Sequence, residues 1–266
     1  MKAVFDPLAP SYDREFTHSR IGLLQRQAVW DHLSPLMLAS RGMEILELNC
    51  GTGADAIFMA RHGHHVLATD ISGEMLRVAD ERILQHGMED RVTTQQLAFD
   101  DLHGRFEADQ FDMVFSDFGG LNCIDENDLA ALCDPIADAL RPKGRLVAVI
   151  MPDRCMAESG YFLLKGKWSD AFRRGRQEPL WASLSGSGVM TWYHSPKNVA
   201  RIFNHRFRVV NVKPIGFFVP PSYLEPLFAQ RPNTLRRLNA LDELISDWRW
   251  TARYADHFLI DLERRP

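Results

Sequence analysis

Cysteine is scarce in this chain. The four in 266 residues, Cys50, Cys123, Cys133 and Cys155, include no CxxC pair. That spacing excludes a thiolate zinc cluster and a disulfide-stapled scaffold. The ten histidines supply no HExxH and no compact His/Asp/Glu triad, so no metal is expected. An excess of positive charge is missing too. Lys plus Arg is 31 against 35 for Asp plus Glu, a formal net charge of −4. This balance argues against a partner held mainly through its phosphates, and no nucleic acid is expected. No stretch approaches the roughly 18 uninterrupted apolar residues of a membrane span. The N-terminal Met1-Lys2-Ala3-Val4-Phe5 shows no secretory pattern. These absences predict a soluble cytoplasmic protein, with no membrane partner and with its oligomeric state open. What is present is a 45% apolar fraction, enough for a large core without staples.

Residues 1–40 read as an N-terminal helical segment. Ile21, Leu24, Ala28 and Leu33 recur at helical spacing, with Arg20, Gln25, Arg26 and Gln27 between them, and Pro35 interrupts the pattern. Ahead of it, the stretch from Ser11 to Phe16 is either a lid or a solvated tail with one packed aromatic. Residues 41–152 alternate strand and helix. Strands are expected at Glu44–Leu48, His65–Thr69, Val92–Gln95, Phe111–Ser116 and Arg145–Ile150. Helices are expected at Ala54–His62, from Ser72 to about His86, and around Asp128–Leu140. Such alternation predicts an α/β fold with a mostly parallel sheet covered on both faces. Residues 153–206 read as an insertion covering the ligand edge, with a flexible loop at Gly186-Ser187-Gly188, a strand at Val189–His194 and a helix from Ser195-Pro196. Residues 207–266 supply the end of the same sheet, at Phe207–Phe218 and His257–Leu262, around a helix at Thr234–Asp247.

The most informative stretch is Glu47-Leu48-Asn49-Cys50-Gly51-Thr52-Gly53-Ala54, which leaves the first strand and enters a helix. Gly51 and Gly53 allow a tight turn and close approach of a ligand to the backbone. Asp70 ends the next strand, where a carboxylate can accept from both hydroxyls of a ribose; it also suits the start of the helix capped by Ser72. Together these residues resemble the class I S-adenosylmethionine-dependent methyltransferases of the seven-stranded Rossmann-like type. The resemblance rests mainly on residues 44–150. It implies a three-layer α/β sandwich, with a seven-stranded, mostly parallel sheet whose last strand is antiparallel.

The family's first motif is acidic-x-Gly-x-Gly-x-Gly. Glu47 matches its acidic residue, near the methionine amino group, and Gly51 and Gly53 match its second and third glycines; Asn49 replaces the first. Asp70-Ile71-Ser72-Gly73-Glu74-Met75-Leu76 is similar to the second motif, so the resemblance gives Asp70 to the ribose and Ile71 to the adenine, with Met75 behind them. At Ala98-Phe99-Asp100-Asp101-Leu102 the family's adenine-binding Asp is replaced by Ala98. Either backbone groups of Ala98 and Phe99 then reach the adenine edge, with Phe99 lining the pocket, or Asp100 supplies the carboxylate. Ser116 and Asp117 fall where the family places the reacting methyl group, followed by Phe118-Gly119-Gly120. The Asn/Asp-Pro-Pro-aromatic tetrad of family members that methylate bases or protein amides is absent, which points to a small-molecule acceptor.

Acceptor-side candidates lie outside this core. Tyr12 is expected at cofactor and acceptor alike, with Phe16 and His18 beside it; Trp181, Trp192, Tyr193 and His194 belong to the late insertion. His194 is the candidate general base, since an imidazole titrates near neutrality, against a packing role beside the helix at Ser195-Pro196. Two other functions compete. Gly51-Thr52-Gly53-Ala54-Asp55-Ala56 also fits the GxGxxA of an NAD-dependent oxidoreductase, and Asn49 and Ala98 are compatible with a non-catalytic scaffold or regulator that retains the fold.

Overall fold

The protein is described from a computed structural model, over residues 5–176, 179–184, 187–228 and 230–266, without the side chains of 182–184 and 187. Among the described residues nine strands form, in chain order: β1 Glu44–Leu48, β2 His65–Asp70, β3 Val92–Gln96, β4 Phe111–Ser116, β5 Leu140–Ile150, β6 Leu180–Leu184, β7 Ser187–Thr191, β8 Phe207–Ile215 and β9 His257–Arg264. Seven make one sheet in the order β3-β2-β1-β4-β5-β9-β8, and β6 and β7 form a separate hairpin. β1 to β5 pair in parallel, while β9 runs antiparallel between β5 and β8. This insertion is the arrangement expected from the resemblance, and it sets the first residue of β9, His257, at the same edge as the last residues of β1, β2 and β4.

The parallel strands are apolar because both faces are covered. On one face Ile45, Val66, Met113, Phe115, Val147 and Val149 pack under Val29, Leu33 and Met37 of the helix Arg20–Ala39. On the other, Leu46, Leu48, Val114, Leu146 and Ala148 meet Ile136 and Ala137 of the helix Cys133–Ala139, with Val199 and Phe203 of Pro196–Phe203. Local capping fixes the helix starts: Ser19, Ser72 and Ser195 accept from Gly22, Met75 and Asn198 N–H groups respectively. Glu225 adds a distant cap, its carboxylate accepting from the Arg20 and Ile21 N–H groups.

Several sequence expectations change. Pro35 does not stop the first long helix, which continues to Ala39. Pro35 stands on the exposed face, where water can reach the carbonyl that its missing N–H leaves free, and Ser34 Oγ donates to Trp30 O at 2.7 Å in the same turn. Gln25 and Arg26, read as polar-face residues, are buried. The expected helix over 128–140 is two shorter ones, Glu126–Ala131 and Cys133–Ala139. The Val189–His194 strand is Ser187–Thr191, paired with the unforeseen β6. Of the loop expected at 186–188, Gly186 lies outside the described residues. Among those described, no helix is long and apolar enough to cross a membrane, and no group of His, Cys, Asp and Glu is placed to hold a metal.

Candidate functional site

The glycine turn leaves β1 with Asn49, Gly51 and Gly53 in left-handed conformations, φ +49°, +53° and +75°. Two of these suit glycine, and asparagine tolerates the third. A Cβ at Gly53 would lie 3.1 Å from that of Ala79, so this glycine lets the following helix, Ala54–Arg61, pack tightly on Gly73–Gln85. At Gly51 the same test meets only the Tyr12 ring, at 3.9 Å, and the turn's outer face has room for a ligand. Asp70 braces the turn from β2. Its Oδ2 accepts from Gly51 N–H at 2.9 Å and its Oδ1 from Ser72 N–H at 2.8 Å. Each oxygen keeps a lone pair for a further donor. Burial pushes the Asp70 carboxyl above its ordinary range, against the pull of those N–H groups.

Beside the turn is a buried cluster that sequence reading missed in part. Glu47 is 1% exposed, and its Oε2 finds no hydrogen-bond partner among the described residues. Asp55, in the first turn of the helix after Gly53, is held by the Arg26 guanidinium and by Trp30 Nε1 at 2.7 Å. Arg26 also reaches Asp117 Oδ2 at 3.3 Å, while its buried Nε remains unpaired among the described residues. Burial raises the Glu47 carboxyl well above its usual range; Asp55 and Asp117 raise it further, and Arg26 opposes them. Asp117 is raised in the same way, by burial first and then by Asp55. Burial would lower the affinity of Arg26 for its proton, but Asp55 and Asp117 outweigh it and hold the guanidinium charged. Arg26 and Trp30 are one helical turn apart, so they share a face. Nothing in the sequence says that Asp55 is the partner of that face.

An N-terminal segment crosses this site. Tyr12 packs with Leu8, Ala9 and Met75, and its ring lies 5.2 Å from that of Phe16. Burial pushes the Tyr12 hydroxyl up to about 12, assisted by Asp70 and Asp117 and opposed by Arg26. Asp13 Oδ1 accepts from Thr52 Oγ1 at 2.6 Å, and Arg82 bonds both Asp13 and Thr52. Asp6 accepts from the Ser72 hydroxyl. The segment is therefore tied down at both ends across the turn, and the solvated-tail reading fails.

Glu47, Gly51, Gly53, Asp70 and Asp117 converge as expected, with Tyr12 over them. Ile71 stands half-buried at the rim, and Ala98 and Phe99 are half-buried just beyond β3, with Phe99 against the core. Other expectations need correction. Met75 is 2% exposed and supports the N-terminal segment, leaving it no surface for a cofactor. Ser116 is fully buried and donates to Asn49 Oδ1, so both side chains join β1 to β4; Ser116 has no surface for a ligand, whereas the half-buried Asn49 keeps one amide N–H beyond its tie to Asp117. His18 is exposed at the turn between two helices, away from any base's place in a crevice. His194 is 4% exposed with Nε2 3.2 Å from Ile124 O, and burial lowers its proton affinity; it is a neutral brace beside Met151. Trp181 is largely exposed. In its place Phe118, at φ +33°, sets its ring edge-on to His257 at 5.2 Å and beneath Arg26 at 5.0 Å.

Comparison with known proteins agrees with this arrangement. Residues 45–144 match a methyltransferase domain family. A demethylmenaquinone methyltransferase of Clavibacter sepedonicus is 33% identical over 149 residues, 55% of this chain and 56% of that protein. The chain thus spans little more than half the length of that curated relative. A solved S-adenosylmethionine-dependent methyltransferase from Mesorhizobium loti superposes with a TM-score of 0.57 at 19% identity, over 89% of this chain and 98% of its own. The [4+2]-cyclase SpnF superposes equally well, at 0.58 and 15% identity, over 91% and 80%, so the fold by itself does not dictate the reaction. By its strand order the chain shares the Rossmann-like fold of these solved methyltransferases, and residues 45–144 match a methyltransferase domain family.

Proposed function

We propose that the protein uses S-adenosylmethionine to methylate a small, partly apolar organic acceptor. The observation that carries this reading is the pair of unsatisfied buried groups beside the glycine turn, Glu47 Oε2 and Arg26 Nε. A buried polar atom without a partner costs about 1–3 kcal/mol, and a zwitterionic amino-acid end relieves both, its ammonium toward Glu47 and its carboxylate toward Arg26. Asp70 holds the ribose hydroxyls, with Ile71, Ala98 and Phe99 at the adenine. The residues present therefore fit the cofactor. When bound, it supplies a sulfonium methyl group as the electrophile, and no metal is required.

The chain's own contribution is to align the acceptor and keep water out. The described parts of the N-terminal segment and of the late insertion cover the acceptor side, and Tyr12 closes over the turn. A hydroxyl pushed up to about 12 stays protonated at neutral pH and is available to donate a hydrogen bond to the acceptor; it does not act as a base. The acidic net charge and the missing tetrad favour a small organic acceptor over a nucleic acid. The relative's name makes a quinol-like aromatic ring the first acceptor to try. Four free cysteines suit a cytoplasmic setting.

Calorimetry with S-adenosylhomocysteine and with NADH tests the cofactor. Binding of the first alone is expected; binding of NADH alone would replace this reading with the oxidoreductase one. Labelled S-adenosylmethionine with a cell extract should then yield a labelled small molecule. Cofactor binding with no transfer to extract or quinol would favour a scaffold. Tyr12→Phe should slow single-turnover transfer modestly if its hydroxyl takes part.

A further inference from the structure

We infer that Asn49 is a positioning residue: its side chain staples the loop after β4 to the glycine turn and so fixes the amino-acid end of the cofactor site. The inference rests on the methyl-transfer reading above and names the device that holds one half of that site. Asn49 Nδ2 donates to Asp117 O at 2.7 Å, and Asn49 Oδ1 accepts from Ser116 Oγ at 2.6 Å. A backbone carbonyl can only accept, so the amide orientation is forced. Both ties cross between neighbouring strands, since Leu48 of β1 is in register with Ser116 of β4. The loop then bends sharply, with Phe118 at φ +33° and Gly119 at φ +85°. That bend aims the Asp117 carboxylate at Arg26 and the Phe118 ring at His257.

Gly120 completes the fit. A Cβ added there would overlap the Asn49 carboxamide, with nothing else as near. The side chain at 49 and the absence of one at 120 are therefore complementary. Asp117, on this loop, meets Arg26 at 3.3 Å, while Arg26 itself sits on the helix Arg20–Ala39 and is also held by Asp55; both lie at the amino-acid end of the proposed site. The nucleoside end hangs on Asp70, the last residue of β2, and on Ile71 after it; the Asp70 carboxylate accepts from Gly51 and Ser72 N–H groups, not from this loop.

The test compares S-adenosylhomocysteine with 5′-methylthioadenosine, which keeps the nucleoside and thioether but lacks the amino-acid end. Asn49→Gly relieves the left-handed backbone while removing both ties, so the variant should fold. It should bind S-adenosylhomocysteine up to about tenfold more weakly, because the ligand must then order the loop that the two hydrogen bonds had held in place. Methylthioadenosine should bind as to the parent protein. Ser116→Ala, which removes one tie and leaves the turn intact, should give a smaller loss of the same kind. Gly120→Ala should weaken S-adenosylhomocysteine binding in the parent and cost nothing further on the Asn49→Gly background. Unchanged binding by Asn49→Gly, equal loss for both ligands, or an equal cost of Gly120→Ala in both backgrounds would each overturn the inference. A parent protein that binds neither ligand would instead sink the cofactor reading itself.

Discussion

Two buried charge clusters flank the sheet edge, and they are built in opposite ways. In the late half, Arg174 places four of its five N–H donors. Its Nε and Nη2 reach Glu158 Oε2 at 3.2 and 2.9 Å, Nη2 also reaches Asp256 Oδ1 at 2.7 Å, and Nη1 reaches Asp256 O at 2.8 Å. Arg173 and the Tyr223 hydroxyl complete Glu158, and Gln25 completes Asp256. Burial alone would raise both carboxyls, yet their neighbours hold them below the ordinary range, Arg174 for Glu158 and His257 with Arg174 for Asp256. Beside the glycine turn, Glu47, Asp55 and Asp117 share one guanidinium; the Glu47 and Asp117 carboxyls are raised, and Glu47 Oε2 and Arg26 Nε stay unpaired. A satisfied cluster fixes the chain, whereas an unsatisfied one asks for a ligand.

The comparison breaks first at Arg174. Arg174→Met leaves Glu158 and Asp256 buried without their cation and should cost about 3–5 kcal/mol of stability in denaturant melts. S-adenosylhomocysteine affinity should persist wherever the variant is folded. A loss near zero would mean that the late cluster is not structural. The next effect is at the ribose end. Asp70→Ala should weaken S-adenosylhomocysteine binding by about 1.5–3 kcal/mol in calorimetry, the contribution of a hydrogen bond to a charged group, and unchanged affinity would remove Asp70 from that role.

Glu47→Gln sharpens the contrast through pH. A carboxyl whose folded-state pKa is raised favours the folded state at low pH. That advantage is lost as pH climbs from the unfolded value, about 4.3, through the folded one. Glu158 and Asp256, being depressed, do the reverse: their stabilisation is present above the unfolded pKa and vanishes as pH falls through the folded value. Glu47→Gln should therefore gain stability over the parent as pH rises, and acid should destabilise both proteins through the late cluster. A bound ammonium favours the ionised carboxylate, so S-adenosylhomocysteine should release protons on binding over the pH range in which Glu47 of the free protein is still protonated. Calorimetry in buffers of different ionisation enthalpy reads this release, and Glu47→Gln should abolish it.

The cofactor half was legible because its signals are local. Gly51 and Gly53 announce a turn by backbone freedom alone, Ser72 announces a helix start three residues before the N–H it caps, and the alternation from Glu44 to Ile150 announces a parallel sheet. Asp70 was found because the end of a strand is a fixed place. Arg26 was misread because a polar residue on a helix looks solvated until its partners, 29 and 91 residues away, are brought against it. His194 and His18 looked alike as imidazoles near aromatics, yet one became a buried brace and the other is exposed.

The sequence by itself therefore determined the strand and helix pattern, the glycine turn and its acidic partners, since φ preference, capping and periodicity act over a few residues. Tertiary structure alone decided which charges are shared, which polar atoms are left unpaired, and that Asn49 would grip the neighbouring strand's loop. Those outcomes depend on desolvation and on groups far apart in the chain, and neither exists until the sheet has closed and the helices lie on it.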